Sequence, residues 1–154
     1  MRKVSFTIES WPTKEPFSIT GYTFTEAKVL YVRITEGQCS GQGEATGVYY
    51  LNETADSMLA QANSIKTKLE QGADRTELQT LLPAGGARNA IDCALWDLEA
   101  KLSGKSIWAL TGITPKATIT VNTVGIDSPQ AMANTARAFD TPHIKVKLDD
   151  KLVQ

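Results

Sequence analysis

The sequence predicts an α+β part, built of antiparallel strands and helices, followed by a parallel α/β unit of strand, helix and strand. Three observations carry this. Apolar and polar residues alternate over residues 3–9 and again over 26–45, the period of half-buried strands. Over 53–71 and 87–102 the apolar residues recur at steps of three and four, the period of helices packed on one face. From residue 117 the chain reads strand, helix, strand, and such a crossover makes its two strands parallel.

Val4, Phe6 and Ile8 define the first strand, which Trp11-Pro12 is expected to end. Phe17–Phe24 follows as a connection or strand edge rich in aromatics, with Gly21 inside it. A second strand is expected at Glu26–Glu36, with Leu30, Val32 and Ile34 on one face. Glu36-Gly37-Gln38 signals a turn, and a third strand to about Ala45 completes a hairpin. Gly41-Gln42-Gly43-Glu44 resembles part of a dinucleotide fingerprint, but Thr46 stands where a third glycine is needed. The segment also ends a strand and opens no helix, so a nucleotide site is rejected.

A helix is expected from Glu53 to Gln71, capped by Asn52 or Thr54 and ended by Gly72. Met58, Ala62, Ile65 and Leu69 form its core stripe. Asp74 with Glu77 has the spacing of a capping box and starts a short helix that Pro83 stops. Ala87, Ala90, Ile91, Ala94, Leu95, Leu98 and Leu102 give one face of a helix closed by Gly104. Its alanines allow another element to approach closely, and Arg88–Asp92 and Asp97–Lys101 are opposite charges one turn apart. Asp97 and Glu99 do not make a catalytic carboxylate pair, because residues two apart diverge by roughly 200° around a helix. A short helix around Ser106–Leu110 ends at Gly112.

The last part changes character. Ala117–Val124 reads as a strand with Ile119, Val121 and Thr123 on one face, and Ser128-Pro129 opens a helix to about Phe139. In His143–Asp149, Ile144, Val146 and Leu148 share one face and Lys145 and Lys147 the other. Alone, this pattern is an amphipathic strand with solvated lysines. A parallel strand, however, is normally covered on both faces, so the lysines are expected to point into a site. The C-terminal ends of parallel barrel strands are where such folds put their chemistry. A complete barrel needs eight such units over roughly 250 residues. Only two strands are read here, so the remainder is expected to be missing or to come from another chain.

The totals exclude several classes. The 154 residues are 42% hydrophobic and 21% charged, with sixteen basic and seventeen acidic residues. That balance offers no polyanion-binding surface, so no nucleic-acid partner is expected. No apolar run is long enough to span a membrane, and residues 1–9 alternate with charges where a signal peptide would be apolar. Two separated cysteines, Cys39 and Cys93, point to a reducing, cytoplasmic setting. One histidine and no paired cysteines argue against zinc, and no G-x-S-x-G elbow is present for a serine triad.

Three runs carry a family resemblance: Gly41-x-Gly43-Glu44-Ala45; Ala87-x-x-Ala90-Ile91-Asp92-x-Ala94-Leu95-Trp96-Asp97-Leu98-x-Ala100-Lys101-x-x-Gly104; and Lys145-Val146-Lys147. In this order they resemble the enolase superfamily, muconate-lactonizing subgroup. Thr123-Val124-Gly125-Ile126-Asp127-Ser128-Pro129 is most similar to the dipeptide epimerases, relatives of L-Ala-D/L-Glu epimerase. The resemblance implies a capping domain over 1–114, then the first two strands and first helix of a (β/α)7β TIM-like barrel over 115–154. It implies that Lys147 is the acid/base on one face of the substrate α-carbon, with Lys145 near the substrate carboxylate. Thr123 would contact substrate, and Thr20–Phe24 and Val48–Tyr50 would lie in two covering loops, with Tyr22, Phe24 and Tyr50 as contacts. Abstracting a proton beside a carboxylate needs a base that is partly neutral near pH 7. An ordinary lysine, with a pKa of about 10.4, reaches that state through burial or a neighbouring ammonium. Mg²⁺ would stabilise the enediolate, a Lys-plus-Mg²⁺ pattern general to this superfamily. The metal ligands and the second base are expected beyond this chain, so the chain alone is expected to be inactive. A homo-oligomer, or pairing with the rest of a barrel, is also implied.

Many relatives carry a basic residue near Thr20-Gly21, and this chain has none in Ile19–Phe24. Hydrophobic or uncharged dipeptides are therefore the expected substrates. Rival readings are o-succinylbenzoate synthase, muconate cycloisomerase, N-acylamino acid racemase, a Schiff-base lysine enzyme, or an inactive capping-domain product.

Overall fold

A computed structural model describes residues 1–149. The chain forms two compact units, one from Met1–Trp11 and Lys28–Thr114, the other from Pro12–Ala27 with the segment that begins at Pro115.

The first unit is built on a three-stranded sheet in the order β1 (Lys3–Ile19), β2 (Tyr22–Glu36), β3 (Cys39–Thr46). β2 and β3 are antiparallel around Gly37-Gln38, with Glu36 opposite Cys39 and Val29 opposite Thr46. Val29, Leu30, Val32 and Ile34 are buried. Trp11-Pro12 does not end the first strand, as expected from the sequence; β1 runs on through Pro12 and Pro16 to Ile19. It lies at the sheet edge, where a residue without an N–H can leave its outer side unpaired. The outer halves of β1 and β2 belong to the second unit.

Five helices complete the first unit. The helix expected over 53–71 is two, α1 (Ala55–Ser64) and α2 (Lys66–Glu70), interrupted at Ile65 with φ −112° and ψ 5°. The interruption spares the stripe, because Met58, Ala62, Ile65 and Leu69 are all buried. Thr54 is the cap, its hydroxyl accepting from the Ser57 N–H at 3.1 Å. Asp74 accepts from the N–H groups of Thr76 and Glu77, both at 2.8 Å, while Glu77 accepts from the Asp74 N–H at 3.1 Å. This is the capping box expected for α3 (Arg75–Leu81). α4 (Gly86–Ser103) ends at Gly104, whose φ of 64° only glycine adopts readily. α5 (Ile107–Thr111) is capped by the Ser106 hydroxyl.

α4 lies directly on β3. A side chain at Gly41 would run into the Ala94 carbonyl, and one at Gly43 into the Ala90 carbonyl. The glycines of the rejected nucleotide fingerprint are therefore the seat of this helix, and the alanines expected to admit a close neighbour face them. Asp97 clips the contact by accepting from the Gln42 N–H at 2.8 Å, and Lys101 donates to Asp97 at 2.7 Å and to the Ser40 carbonyl at 2.8 Å. Arg88 donates to the Leu82 carbonyl at 3.3 Å. Glu99 pairs with Arg75 at 2.8 Å, and the Arg75 guanidinium stacks on Trp96 at 3.3 Å. Asp97 and Glu99 thus serve separate structural contacts. Leu102, expected in the core face, is exposed.

In the second unit, β4 is Asn122–Val124, much shorter than the expected Ala117–Val124, and Ile119 and Val121 lie outside it, exposed. α6 (Pro129–Ala138) is capped by Ser128, with Pro129 at its first position. β5 (Ile144–Val146) pairs with β4 in parallel, with Asn122 opposite Ile144, Thr123 opposite Lys145 and Val124 opposite Val146. Val124 and Met132 are buried. The expectation that β5 is covered on both faces is not met among the described residues: Ile144 is 39% exposed, Val146 50% and Leu148 68%.

Candidate functional site

The second unit gathers most of the chemistry read from the sequence. Side chains of register partners in a parallel pair share a face, so Thr123 and Lys145 stand side by side. Lys147 follows two residues later on that face, where its N–H donates to the Val124 carbonyl at 3.0 Å and closes the ladder. Lys145 is exposed and Lys147 half-buried.

The β1–β2 hairpin tip reaches these strand ends within the same unit. It turns at Thr20-Gly21, where Gly21 has φ 77°. The Ile126 N–H, just past β4, donates to the Ser18 carbonyl at 2.9 Å. The Thr20 hydroxyl donates to the Leu148 carbonyl, one residue past Lys147, at 3.3 Å. Gly125 lies close to this fastening: a Cβ there would stand 3.2 Å from the Ser18 carbonyl and 3.3 Å from the Phe17 ring, a tight fit. The Ser18 and Thr23 hydroxyls, 3.0 Å apart, tie the two arms of the tip. Tyr22 packs on Phe24 with ring centroids 4.5 Å apart, and Phe17 lies 6.4 Å from Phe24. The segment expected as a connection or strand edge is thus the end of two strands and their turn, fastened to the ends of both parallel strands. The sequence signal for this is the pair of long alternating arms with one glycine between them, and the two prolines in β1 obscure it.

Thr123, Lys145, Lys147, Tyr22 and Phe24 all belong to the second unit. Tyr50 belongs to the first, where it stands 74% exposed on a single 3₁₀ turn, Tyr49–Leu51. Tyr49 and Tyr50 meet edge to face at 5.2 Å. Beside this turn is a cleft of about 820 Å³, lined among others by Val48, Leu51, Glu53, Gly85 and Asn89. Glu53, read from the sequence only as the start of a helix, instead precedes α1 and bridges the turn to α4: its carboxylate accepts from the Val48 N–H at 3.1 Å and the Gly86 N–H at 2.7 Å.

No group of three or more His, Cys, Asp or Glu side chains that could hold a metal ion occurs among the described residues. These residues therefore do not fit a Mg²⁺ site by themselves. No helix among the described residues is long and apolar enough to cross a membrane.

Residues 1–112 match the mandelate racemase / muconate lactonizing enzyme N-terminal domain family. The chain belongs to this family. Over 99% of its length the family member is 43% identical to L-Ala-D/L-Glu epimerase of Escherichia coli K12, of which it covers 49%. Its fold matches that of an enolase family member from Agrobacterium tumefaciens with homology to dipeptide epimerases, solved with sodium and L-Ala-L-Glu. That match has a TM-score of 0.91 and 33% identity, over 99% of this chain and 48% of the other. A dipeptide epimerase from Enterococcus faecalis, complexed with Mg and L-Leu-L-Tyr, gives a TM-score of 0.82 and 25% identity, over 94% and 44%. The chain spans about half the length of the relatives it matches. It carries the three-stranded sheet and helices of the capping domain, followed by a parallel strand–helix–strand unit.

Proposed function

We propose that this chain is the N-terminal half of a dipeptide epimerase, an isomerase that removes and returns the α-proton of one dipeptide residue. The observation that carries it is the alignment of Thr123, Lys145 and Lys147 on one face at the ends of two parallel strands, beneath a fastened hairpin tip. The 43% identity to an epimerase over nearly the whole chain supports the same reaction.

In this proposal the Lys147 Nζ takes and returns the proton on one face of the α-carbon. Lys145, on the same strand face, faces the substrate carboxylate and opposes its charge. Thr123 contacts the substrate beside it. The hairpin tip, with Tyr22 and Phe24, walls one side of the site. The base for the opposite face and the carboxylates for Mg²⁺ come from outside the described residues. Mg²⁺ would supply charge stabilisation of the enediolate, as its presence in the Enterococcus faecalis relative suggests. A cytoplasmic setting accords with the two free cysteines.

The test joins this chain to the C-terminal half of the Escherichia coli relative and follows exchange of the dipeptide α-hydrogen in D₂O by NMR. Exchange with both epimers is expected. Lys147→Ala should lower the rate by about 10²–10⁴-fold, and a folded chimaera without exchange, or an unaffected K147A, would sink the assignment. We further propose uncharged or hydrophobic dipeptides as the preferred substrates, because no residue of the tip 19–24 is basic. A dipeptide library in which Ala-Glu is best by a wide margin, as the name of the Escherichia coli relative suggests, would overturn this preference alone.

A further inference from the structure

We propose that Thr20 is a positioning residue for Lys147: its hydroxyl clamps the backbone one residue past the lysine and so fixes the strand end from which the lysine reaches an α-carbon. The role of Lys147 rests on the epimerase reading; the clamp itself stands on geometry within one unit.

Lys147 lies at an end that side-chain packing does not hold. β5 stops at Val146, so the lysine is already one residue beyond the strand. The side chains that flank it, Val146 and Leu148, are both exposed. Two hydrogen bonds hold the chain there instead. The Lys147 N–H donates to the Val124 carbonyl at 3.0 Å, and the Leu148 carbonyl accepts from the Thr20 hydroxyl at 3.3 Å. One bond fixes the backbone before the lysine Cα and the other fixes it after, each from a different element.

Thr20 is itself held in place. It stands at the turn of the tip beside Gly21, whose φ of 77° reverses the chain. Two residues earlier the Ser18 carbonyl takes the Ile126 N–H at 2.9 Å, so Ser18 and Thr20 tie one strand end each. Behind them the Ser18 and Thr23 hydroxyls join the two arms at 3.0 Å. Threonine is branched at Cβ and has few rotamers, so holding the bond costs it little freedom. An alkyl group in its place could not donate to the Leu148 carbonyl. Because the bond is exposed, water would meet that carbonyl instead. Removing the hydroxyl should therefore loosen the strand end and leave the fold intact.

The experiment compares the wild-type chain with Thr20→Val, which keeps the shape without the hydroxyl, and Thr20→Ser, which keeps the hydroxyl. In the full chain, amide hydrogen exchange at Lys147 should speed up at least about fivefold in T20V and return toward wild type in T20S, with amides of the β2–β3 ladder unchanged. Unchanged exchange at Lys147 overturns the clamp, and so does a loosening that spreads equally over β2 and β3. In the chimaera described above, T20V should lower kcat at least about fivefold with KM within about twofold of wild type, and T20S should restore it. The loss should also fall on one epimer. Two bases serve opposite faces of the α-carbon, so damage confined to Lys147 slows α-hydrogen exchange from the epimer that K147A impairs more and spares the other. Equal slowing from both epimers, a raised KM with kcat unchanged, or no change at all overturns the role toward Lys147. A wild-type chimaera without exchange overturns the epimerase reading, and the amide data then still decide whether Thr20 is the clamp.

Discussion

Lys145 and Lys147 illustrate what single residues revealed. Their alternation with Ile144 and Val146 placed them on one strand face, and the parallel register then set Lys145 beside Thr123. What the residues could not reveal was Glu53, a lone acidic residue before a helix whose two partners, Val48 and Gly86, lie on opposite sides of it in sequence. Cys93 gives a prediction at this scale. Burial, and secondarily the Asp92 carboxylate, push its thiol above its ordinary value, so less of it is thiolate at any given pH. Its alkylation by iodoacetamide, followed by peptide mass spectrometry, should therefore rise to its plateau at higher pH than that of a free cysteine peptide. Asp92→Asn removes the raising charge and should move the curve to lower pH; a shift upward would contradict the assigned cause.

At the scale of elements, helices were legible wherever caps and apolar stripes coincided. The Asp74–Glu77 box appears as read, and Asp74→Ala should cost about 1 kcal/mol in a urea melt with an unchanged slope. The break at Ile65 was not legible because the stripe runs through it unbroken. β4 was overestimated because Ile119 and Val121 have strand propensity but no partner strand among the described residues, and propensity alone does not make a strand. The seat of α4 on β3 is the element contact with the least tolerance. Gly43→Val should destabilise the first unit by about 1–3 kcal/mol or more, because backbone atoms of Ala90 and Ala94 would have to retreat. A melt unchanged by this substitution would mean that α4 is not held where the glycines put it.

For the chain as a whole, the two units differ in how completely they enclose their apolar residues. The first has a continuous core from Val4 to Leu98. In the second, Ile119, Val121, Ile144, Val146 and Leu148 are all exposed, and a short parallel sheet with open edges is prone to pair with another chain. The isolated chain should therefore associate as concentration rises in sedimentation velocity, and Val146→Lys should shift it toward monomer. Association unaffected by V146K would place the sticky surface elsewhere, for example on Trp108 and Ile113, which are also exposed. That an open sheet edge favours association was legible in the sequence, which shows only two parallel strands; the exposure of Ile144 and Val146 was not, since burial on both faces is a rule about complete sheets.

The glycine seat also bears on the order in which the chain folds. The β2–β3 hairpin joins Glu36 to Cys39 across two residues and can form within microseconds. The docking of α4 joins Gly43 to Ala90, roughly 50 residues away, and must close that loop before any contact rewards it. The arrival of α4 on the hairpin is then the expected slow step of folding, and in a φ-value measurement substitutions at Ala90 and Ala94, more than at the Gly37 turn, should give the high values.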